Sequence, residues 1–333
     1  MHPALLGLVT IIVGVGSCLA YFWGSNILLD KVLFPARGPN AGRNINRANM
    51  IRPWLFLFPA LFALTLYLAY PVVETLRLSL TDRDAGGAFV GLDNYRQMFG
   101  ESKFWEAMGN NMLWLIVVPA ASTAFGLLAA QLSDRIRWGN LAKSLIFMPM
   151  AISFVGAAVI WKLVYDARPA GAEQIGVVNA VYVWMTGNDP VQLLTVPFWN
   201  NVFLMIVLIW IQTGFAMVIL SAALRGIPEE TVEAAIVDGA NPFQIFFKIK
   251  VPQIAGTIVV VWTTITLVVL KVFDIVFAMT NGQWETQVLA NYMYDKLFRS
   301  LDWGVGSASA MIIMLLVTPI LIWNVRNARK EMR

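Results

Sequence analysis

Long unbroken runs of apolar residues constrain this chain more than any other feature. A helix needs roughly 20 consecutive apolar residues to cross the hydrocarbon core of a bilayer. Runs of that kind fall at 4–29, 54–77, 111–132, 143–165, 200–224, 255–279 and 305–325. Pro59, Pro71, Pro119, Pro149 and Pro319 lie inside them, which spans tolerate because neighbouring helices satisfy the freed carbonyls. Composition agrees: 58% of the 333 residues are hydrophobic and 13% charged, whereas soluble domains carry roughly 25% charged residues. The expected fold is all-α, a polytopic membrane protein with about seven transmembrane helices.

The first run has the length of a span and not of a signal peptide. A signal peptide has an apolar core of about 7–15 residues behind a positive segment. Positions 4–29 carry no charge, and no lysine or arginine precedes them. Val15-Gly16-Ser17-Cys18 has the look of a lipoprotein cleavage box, but the expectation is a retained helix. One cysteine (Cys18) and one histidine (His2) rule out a disulfide framework and a Cys/His metal cluster. The nearest approach to a P-loop, Gly139-Asn-Leu-Ala-Lys143-Ser144, lacks the spacing that wraps a phosphate. ATP hydrolysis by this chain alone, and a nucleophile–base catalytic pair, are therefore not expected.

Orientation follows from the lysines and arginines, which concentrate in cytoplasmic loops. Fifteen of the 24 fall in alternate segments: Lys31, Arg37, Arg43, Arg47 and Arg52; Arg135, Arg137 and Lys143; Arg225, Lys248 and Lys250; Arg326, Arg329, Lys330 and Arg333. The intervening loops dilute their basic residues with Asp and Glu. This places the N-terminus outside and the C-terminus inside. The larger outside loops, 78–110 and 166–199, have turn chemistry at Asp84-Ala-Gly-Gly, Arg168-Pro-Ala-Gly and Gly187-Asn-Asp-Pro. Asn179 to Met185 reads either as a short surface helix packed on the bundle or as a contact for an external partner.

One cytoplasmic segment breaks the apolar pattern. Glu233 to Pro252, EAAIVDGANPFQIFFKIKVP, lies between two of the spans. Pro228 suits the first turn of a new helix, and Glu229, Glu230 and Glu233 follow where the helix dipole favours carboxylates. Asp238-Gly239 breaks that helix, and Asn241-Pro242 restarts one as N-cap and first helical residue. Pro252 closes it. The result is a compact two-helix knob over 228–252, either a plain link between spans or a docking surface on which Ala234 and Ala235 allow close approach.

The same residues resemble the coupling motif of membrane subunits of binding-protein-dependent ABC importers. That motif runs E-A-A, three residues, G, nine residues, I-x-[LV]-P. Glu233-Ala234-Ala235, Gly239, Ile249 and Pro252 meet each spacing, with Val251 in place of the usual leucine. Phe58-Pro59-Ala60, Tyr70-Pro71, Asn110-Asn111, Phe147-Met148-Pro149, Arg225-Gly226-Ile227-Pro228 and Phe273-Asp274 look like the sugar-importer branch. A first span, a basic loop and then Ile51-Arg52-Pro53-Trp54 look like its alpha-glucoside permeases. Asn281-Gly282-Gln283-Trp284 departs from the Gly-Gly-Pro common there.

The resemblance implies an inner-membrane permease with one extra N-terminal helix. Residues 1–52 would hold that helix and its basic loop, and 53–333 a six-helix permease domain. Glu233, Ala234, Ala235, Asp238, Gly239, Ile249 and Pro252 would couple it to an ATPase. Implied partners are a second permease, two ATPase copies that bind ATP and Mg, a periplasmic solute-binding protein, a sugar and membrane lipid, with no nucleic acid and no cofactor or metal in this chain. The runner-up substrate class is a glycosylated polar osmolyte, and the rival from a different class is an ion-driven secondary transporter, which would spread intramembrane carboxylates over several spans.

Charged residues inside spans are functional candidates because they are expensive to insert. Lys271 and Asp274 are three apart and are expected on one helical face, able to pair. Trp210, Gln212, Thr213 and Phe215 combine an aromatic platform with hydrogen-bonding groups, as a sugar path needs. The plainer alternatives are a Lys–Asp pair that only orients helices and a tryptophan in the core. Lys162 is expected to snorkel.

Overall fold

A computed structural model describes residues 3–82, 86–134 and 136–331. Asp84-Ala85, Arg135, His2 and Arg333, named above, lie outside the described residues. The chain divides into two compact units, Met1–Glu74 and Thr75–Arg333.

The first unit contains α1 (Pro3–Ile27), a π-helical turn to Leu33, and α2 (Ala41–Leu64). These two helices form a hairpin. The Tyr21 hydroxyl donates to the Leu55 carbonyl at 2.8 Å, and Phe22 stacks on Phe56 at 5.3 Å. Arg52 donates to Asp30 at 2.5 Å across the base of the connecting loop. A helix α3 (Tyr70–Ser79) contains the boundary between the units.

The second unit opens with a two-residue antiparallel pair, β1 (Thr81–Asp82) with β2 (Ala88–Phe89), in register Thr81↔Phe89. The helices α4 (Asp93–Gly100), α5 (Ser102–Ser133), α6 (Gly139–Phe147), α7 (Phe154–Val164), α8 (Val177–Thr186) and α9 (Trp199–Arg225) follow. Next come α10 (Glu229–Val237), α11 (Pro242–Gln253), α12 (Ala255–Leu270), α13 (Asp274–Met279), α14 (Leu289–Tyr294, continued as a π turn to Arg299) and α15 (Trp303–Glu331). α5 and α9 pack along their length and form the centre of the core with Trp114, Val118, Leu208, Met217 and Leu220 buried between them and α12.

Among the described residues, five helices are long and apolar enough to cross a membrane: Leu5–Leu33, Ala41–Ser79, Ser102–Ser133, Trp199–Arg225 and Trp303–Trp323. The two remaining expected spans are not straight. Between Gly139–Ala151 and Phe154–Val164 the chain bends by 105°. Pro149 lies in a 3₁₀ turn that ends α6, Ile152 is extended, and the Ser153 hydroxyl caps α7 by accepting from Gly156 N at 3.1 Å. Proline removes a helical donor, and Gly214 of α9 lets the Ile146–Phe147 backbone come close. The expected span 255–279 ends as α12 at Leu270, and a new helix begins at Asp274.

At the end of α7, Lys162 donates to the Ala278 carbonyl at 3.4 Å. The segment 179–185 is α8, a short helix packed on α7. Its buried Asn179 bonds the Asp166 and Val191 carbonyls and the Val191 N–H.

Candidate coupling and translocation sites

α9 ends at Arg225, and the polar island follows directly. Pro228 is the N-cap of α10, one position earlier than expected, and Glu229 and Glu230 occupy the first turn. α10 closes in a Schellman arrangement: Ala240 N donates to Ala235 O at 2.9 Å and Gly239 N to Ile236 O at 3.0 Å. Gly239 has φ +80°, and nothing lies within 4 Å of the Cβ it lacks, so backbone conformation alone asks for glycine. Asn241 then caps α11 in a capping box. Its side chain accepts from Gln244 N at 2.9 Å, and the Gln244 side chain accepts from Asn241 N at 2.8 Å. Ile249 and Pro252 lie in α11, which meets α12 at a bend of 71°.

Ala235 of α10 and Ile245 of α11 are buried, whereas Glu233, Ala234, Asp238, Gly239 and Pro252 are exposed. The tip carries an apolar patch that sequence reading missed: Val237 is 86% exposed, Phe243 76%, and Ile236 and Phe247 are also open. Apolar residues outside any span were the available signal. Behind the tip, Arg225, Glu229, Glu233 and Lys250 line a cleft of about 400 Å³. Just above, Ser221 accepts from Lys143 Nζ at 2.7 Å and donates to Asp134 at 3.3 Å, while Lys143 and Asp134 form an ion pair. This triad joins the ends of α5 and α9 to the start of α6, and the sequence reading missed it too.

The expected Lys271–Asp274 pair is absent among the described residues. Lys271 is the C-cap of α12 and Asp274 the first residue of α13, so they do not share a helical face. They meet instead around a small cavity of about 150 Å³ with Phe154, Leu208, Val268 and Phe273. Asp274 also lines a larger cleft of about 420 Å³ with Gln212, Ser153, Phe154 and Ile211, at the break between α6 and α7. Trp210, Thr213 and Phe215 do not line either space. Trp210 lies about 200° around α9 from Gln212 and packs edge-on against Trp161 at 5.6 Å. The Thr213 hydroxyl donates to Ile209 O at 2.7 Å, and Phe215 packs on the core. Phe154, Ser153 and Phe273 were not singled out in advance as path residues.

The loop Asn281–Glu285 has four left-handed residues: Asn281 (φ 55°), Gly282 (φ 72°), Trp284 (φ 53°) and Glu285 (φ 62°). Asn110 donates to the Glu285 and Gln287 carbonyls at 2.9 and 2.8 Å. Asn200 and Asn201 donate to the Trp284 and Glu285 carbonyls, and Asn111 accepts from Leu289 N at 2.8 Å. The loop is thus fixed to the starts of α5 and α9, at the end of the bundle away from the island.

Residues 122–332 match the family described as the binding-protein-dependent transport system inner membrane component. The chain belongs to this family. It is 63% identical over 335 residues to the alpha-glucoside transport system permease protein AglF of Rhizobium meliloti, covering 99% of each chain. It is 48% identical over 277 residues to the osmoprotective compounds uptake permease protein GgtC of Synechocystis, covering 83% of this chain and 99% of that one. Among solved structures, a bacterial ABC transporter involved in import of the acidic polysaccharide alginate superposes with a TM-score of 0.73 at 21% identity, over 86% of this chain and 98% of the other. That likeness supports the fold. The island, the triad and both clefts lie within the segment that matches the family, or across it in the case of the ties to Asn110 and Asn111.

Proposed function

We propose that this permease is one of two membrane subunits of an importer that carries an α-glucoside, of disaccharide size, into the cell. The observation that carries the substrate class is the likeness to AglF over nearly the whole length of both chains. The island supports the coupling role: its rigid, glycine-cornered pair of helices ends in an exposed apolar tip. On this reading the tip seats in a cytoplasmic ATPase, present in two copies, which binds ATP and Mg and does the hydrolysis. The N-terminus is outside, the C-terminus is in the cytoplasm, and an extracytoplasmic binding protein delivers sugar to the end of the bundle marked by the Asn281–Glu285 loop.

The two clefts fit the path. Asp274 and Gln212 offer an acceptor and an amide to hydroxyls, and Phe154 and Phe273 offer apolar faces to the ring C–H groups. Binding in such a space must be weak enough for release, which a few polar groups in a mostly apolar cleft provide. Gln212→Ala and Asp274→Ala should depress uptake while co-purification with the ATPase survives.

A second substrate class, a glycosylated osmolyte, draws support from the likeness to GgtC. Uptake of labelled trehalose, maltose and sucrose by the complete importer in proteoliposomes tests the reading. Saturable, ATP-dependent uptake of at least one of them is expected. No uptake of any, with uptake of a glycosylated polyol instead, would replace the α-glucoside by the osmolyte.

A further inference from the structure

Four aromatic side chains form an unbroken ladder that begins at the cavities described above and ends at the surface. Phe273 stacks on Phe277 with centroids 4.9 Å apart. Tyr294 lies 5.2 Å from each of them. Phe298 lies 5.1 Å beyond Tyr294 and is 59% exposed. Two of the rings come from α13 and its N-cap, and two from α14 and its π turn. The ladder therefore runs from Phe273, two residues from Lys271, to the exposed Phe298 in the π turn of α14. Its lower rung, Phe273, lines the small cavity with Asp274, and Phe273 and Tyr294 both line a separate cavity of about 330 Å³ with Lys271 and Met293.

The charges around the ladder indicate water, not lipid, in front of it. The guanidinium of Arg299 lies 5.7 Å from the Phe277 centroid and 5.8 Å from that of Tyr294. Asp295 holds it at 3.0 Å, and Gln287 holds Asp295 at 3.0 Å. Lys271 is exposed at the lower end. Asp295 and Arg299 fall in the connection between the expected spans 255–279 and 305–325, where water solvates them, and Lys271, inside an expected span, is a charged group of the kind found facing a bundle interior or a water-filled cavity. A strip of ring faces and edges rimmed by cationic donors, and continuous at Phe273 with a mostly apolar cleft that offers a few polar groups, suits one class of ligand. A pyranose has an apolar C–H face to lie on a ring and hydroxyls to meet the rim.

We infer that Phe298, Tyr294, Phe277 and Phe273 form an entry ramp for the sugar, along which successive pyranose rings pass from the binding-protein end to the cleft at Asp274. The inference rests on the α-glucoside reading and extends it from the clefts to the approach. Lipid or the second permease subunit would cover the same face if the ramp were not used.

The complete importer in proteoliposomes, with its binding protein, tests this through trehalose or maltose moved per ATP hydrolysed. Tyr294→Leu keeps apolar bulk and removes the ring, whereas Tyr294→Phe keeps the ring. Each lost ring should lower the ratio roughly two- to tenfold, and Tyr294→Phe should retain most of what Tyr294→Leu loses. Phe298→Leu alters a side chain that is mostly open, so it decides the matter even if Tyr294→Leu fails to assemble. An unchanged ratio in Phe298→Leu, or equal ratios for the Phe and Leu variants at position 294, overturns the ramp. Failure of the α-glucoside reading shows in the wild-type complex, which would then take up neither sugar, and that result removes both proposals. Failure of the ramp alone shows only in the variants of a complex whose wild type transports.

Discussion

Gly126 of α5 rests against Ala216 of α9 so closely that a Cβ on the glycine would come within 2.4 Å of the alanine methyl and 2.9 Å of the Met217 nitrogen. Small residues at helix crossings let backbones approach where burial against lipid gives no hydrophobic gain. This crossing sits at the centre of the packed unit, so the relative position of the two ends of the bundle depends on it.

Gly126→Ala should therefore push α5 and α9 apart. Overpacking of this kind costs about 1–3 kcal/mol, read as a fall in the thermal midpoint of the detergent-solubilised protein. Gly109 of the same helix has nothing within 4 Å of its missing Cβ. Gly109→Ala should be neutral or stabilising by up to about 1 kcal/mol through helix propensity. Equal effects at the two sites would mean that the crossing is looser than its geometry indicates.

The Lys143–Asp134–Ser221 triad makes a separate prediction. Its charges are mostly buried, and removing one partner strands the other, which is costlier than removing both. Lys143→Met and Asp134→Leu should each destabilise, and the double variant should recover a coupling energy of roughly 0.5–3 kcal/mol. Simple additivity in the double-mutant cycle would reduce the triad to a surface pair.

Asn110 makes a third test possible. Its amide is the donor to both Glu285 and Gln287 carbonyls, and left-handed non-glycine residues persist only where surrounding contacts over-determine them. Asn110→Ala should open segment 281–287 to limited proteolysis under conditions where the wild-type loop resists cleavage. A loop that stayed protected would owe its shape to Asn200 and Asn201 instead.

What was legible in the sequence was whatever local chemistry dictates. The Asp238-Gly239 break and the Asn241-Pro242 restart depend on neighbouring residues only, and both appear where expected. Straight apolar spans were equally plain at 200–224, where the helix is Trp199–Arg225. The bend at Ile152–Ser153 was not legible, because apolar character runs through it and a proline in a span is compatible with either outcome. The same limit misplaced Lys271 and Asp274: nothing within Val-Val-Leu-Lys-Val-Phe-Asp marks the end of a helix at Leu270. The triad and the aromatic ladder join residues more than seventy and about twenty positions apart respectively, and only packing brings such residues together.

Topology is tested independently. A reporter active only in the cytoplasm should be active when fused after Arg333 and silent when fused before His2. The reverse pattern would invert the assignment of the island and undo its role with an ATPase.

Coupling gives the last prediction. Val237 and Phe243 stand at the tip of the island with 86% and 76% of their surface open, whereas its buried residues are Ala235 and Ile245 and its corner is held by backbone bonds and the Asn241–Gln244 capping box. Val237→Asp and Phe243→Asp should therefore leave the knob folded and membrane levels normal. Apolar anchors at the centre of an interface typically account for 2 kcal/mol or more, so affinity for the ATPase should fall by roughly thirtyfold. Glu233→Lys reverses a charge beside Arg225 and Lys250 in the cleft behind the tip, and should also abolish uptake while membrane levels stay near normal. Gly239→Asp meets no steric obstacle, but its φ of +80° costs about 1 kcal/mol or more in a residue with a side chain. Aspartate tolerates that region better than a β-branched residue, so Gly239→Val should be the more severe change. In all of these, substrate-stimulated ATP hydrolysis should fall together with uptake, and suppressors should map to the ATPase surface. Variants that inserted, held the ATPase normally and transported at wild-type rates would reduce the island to a connection between α9 and α12.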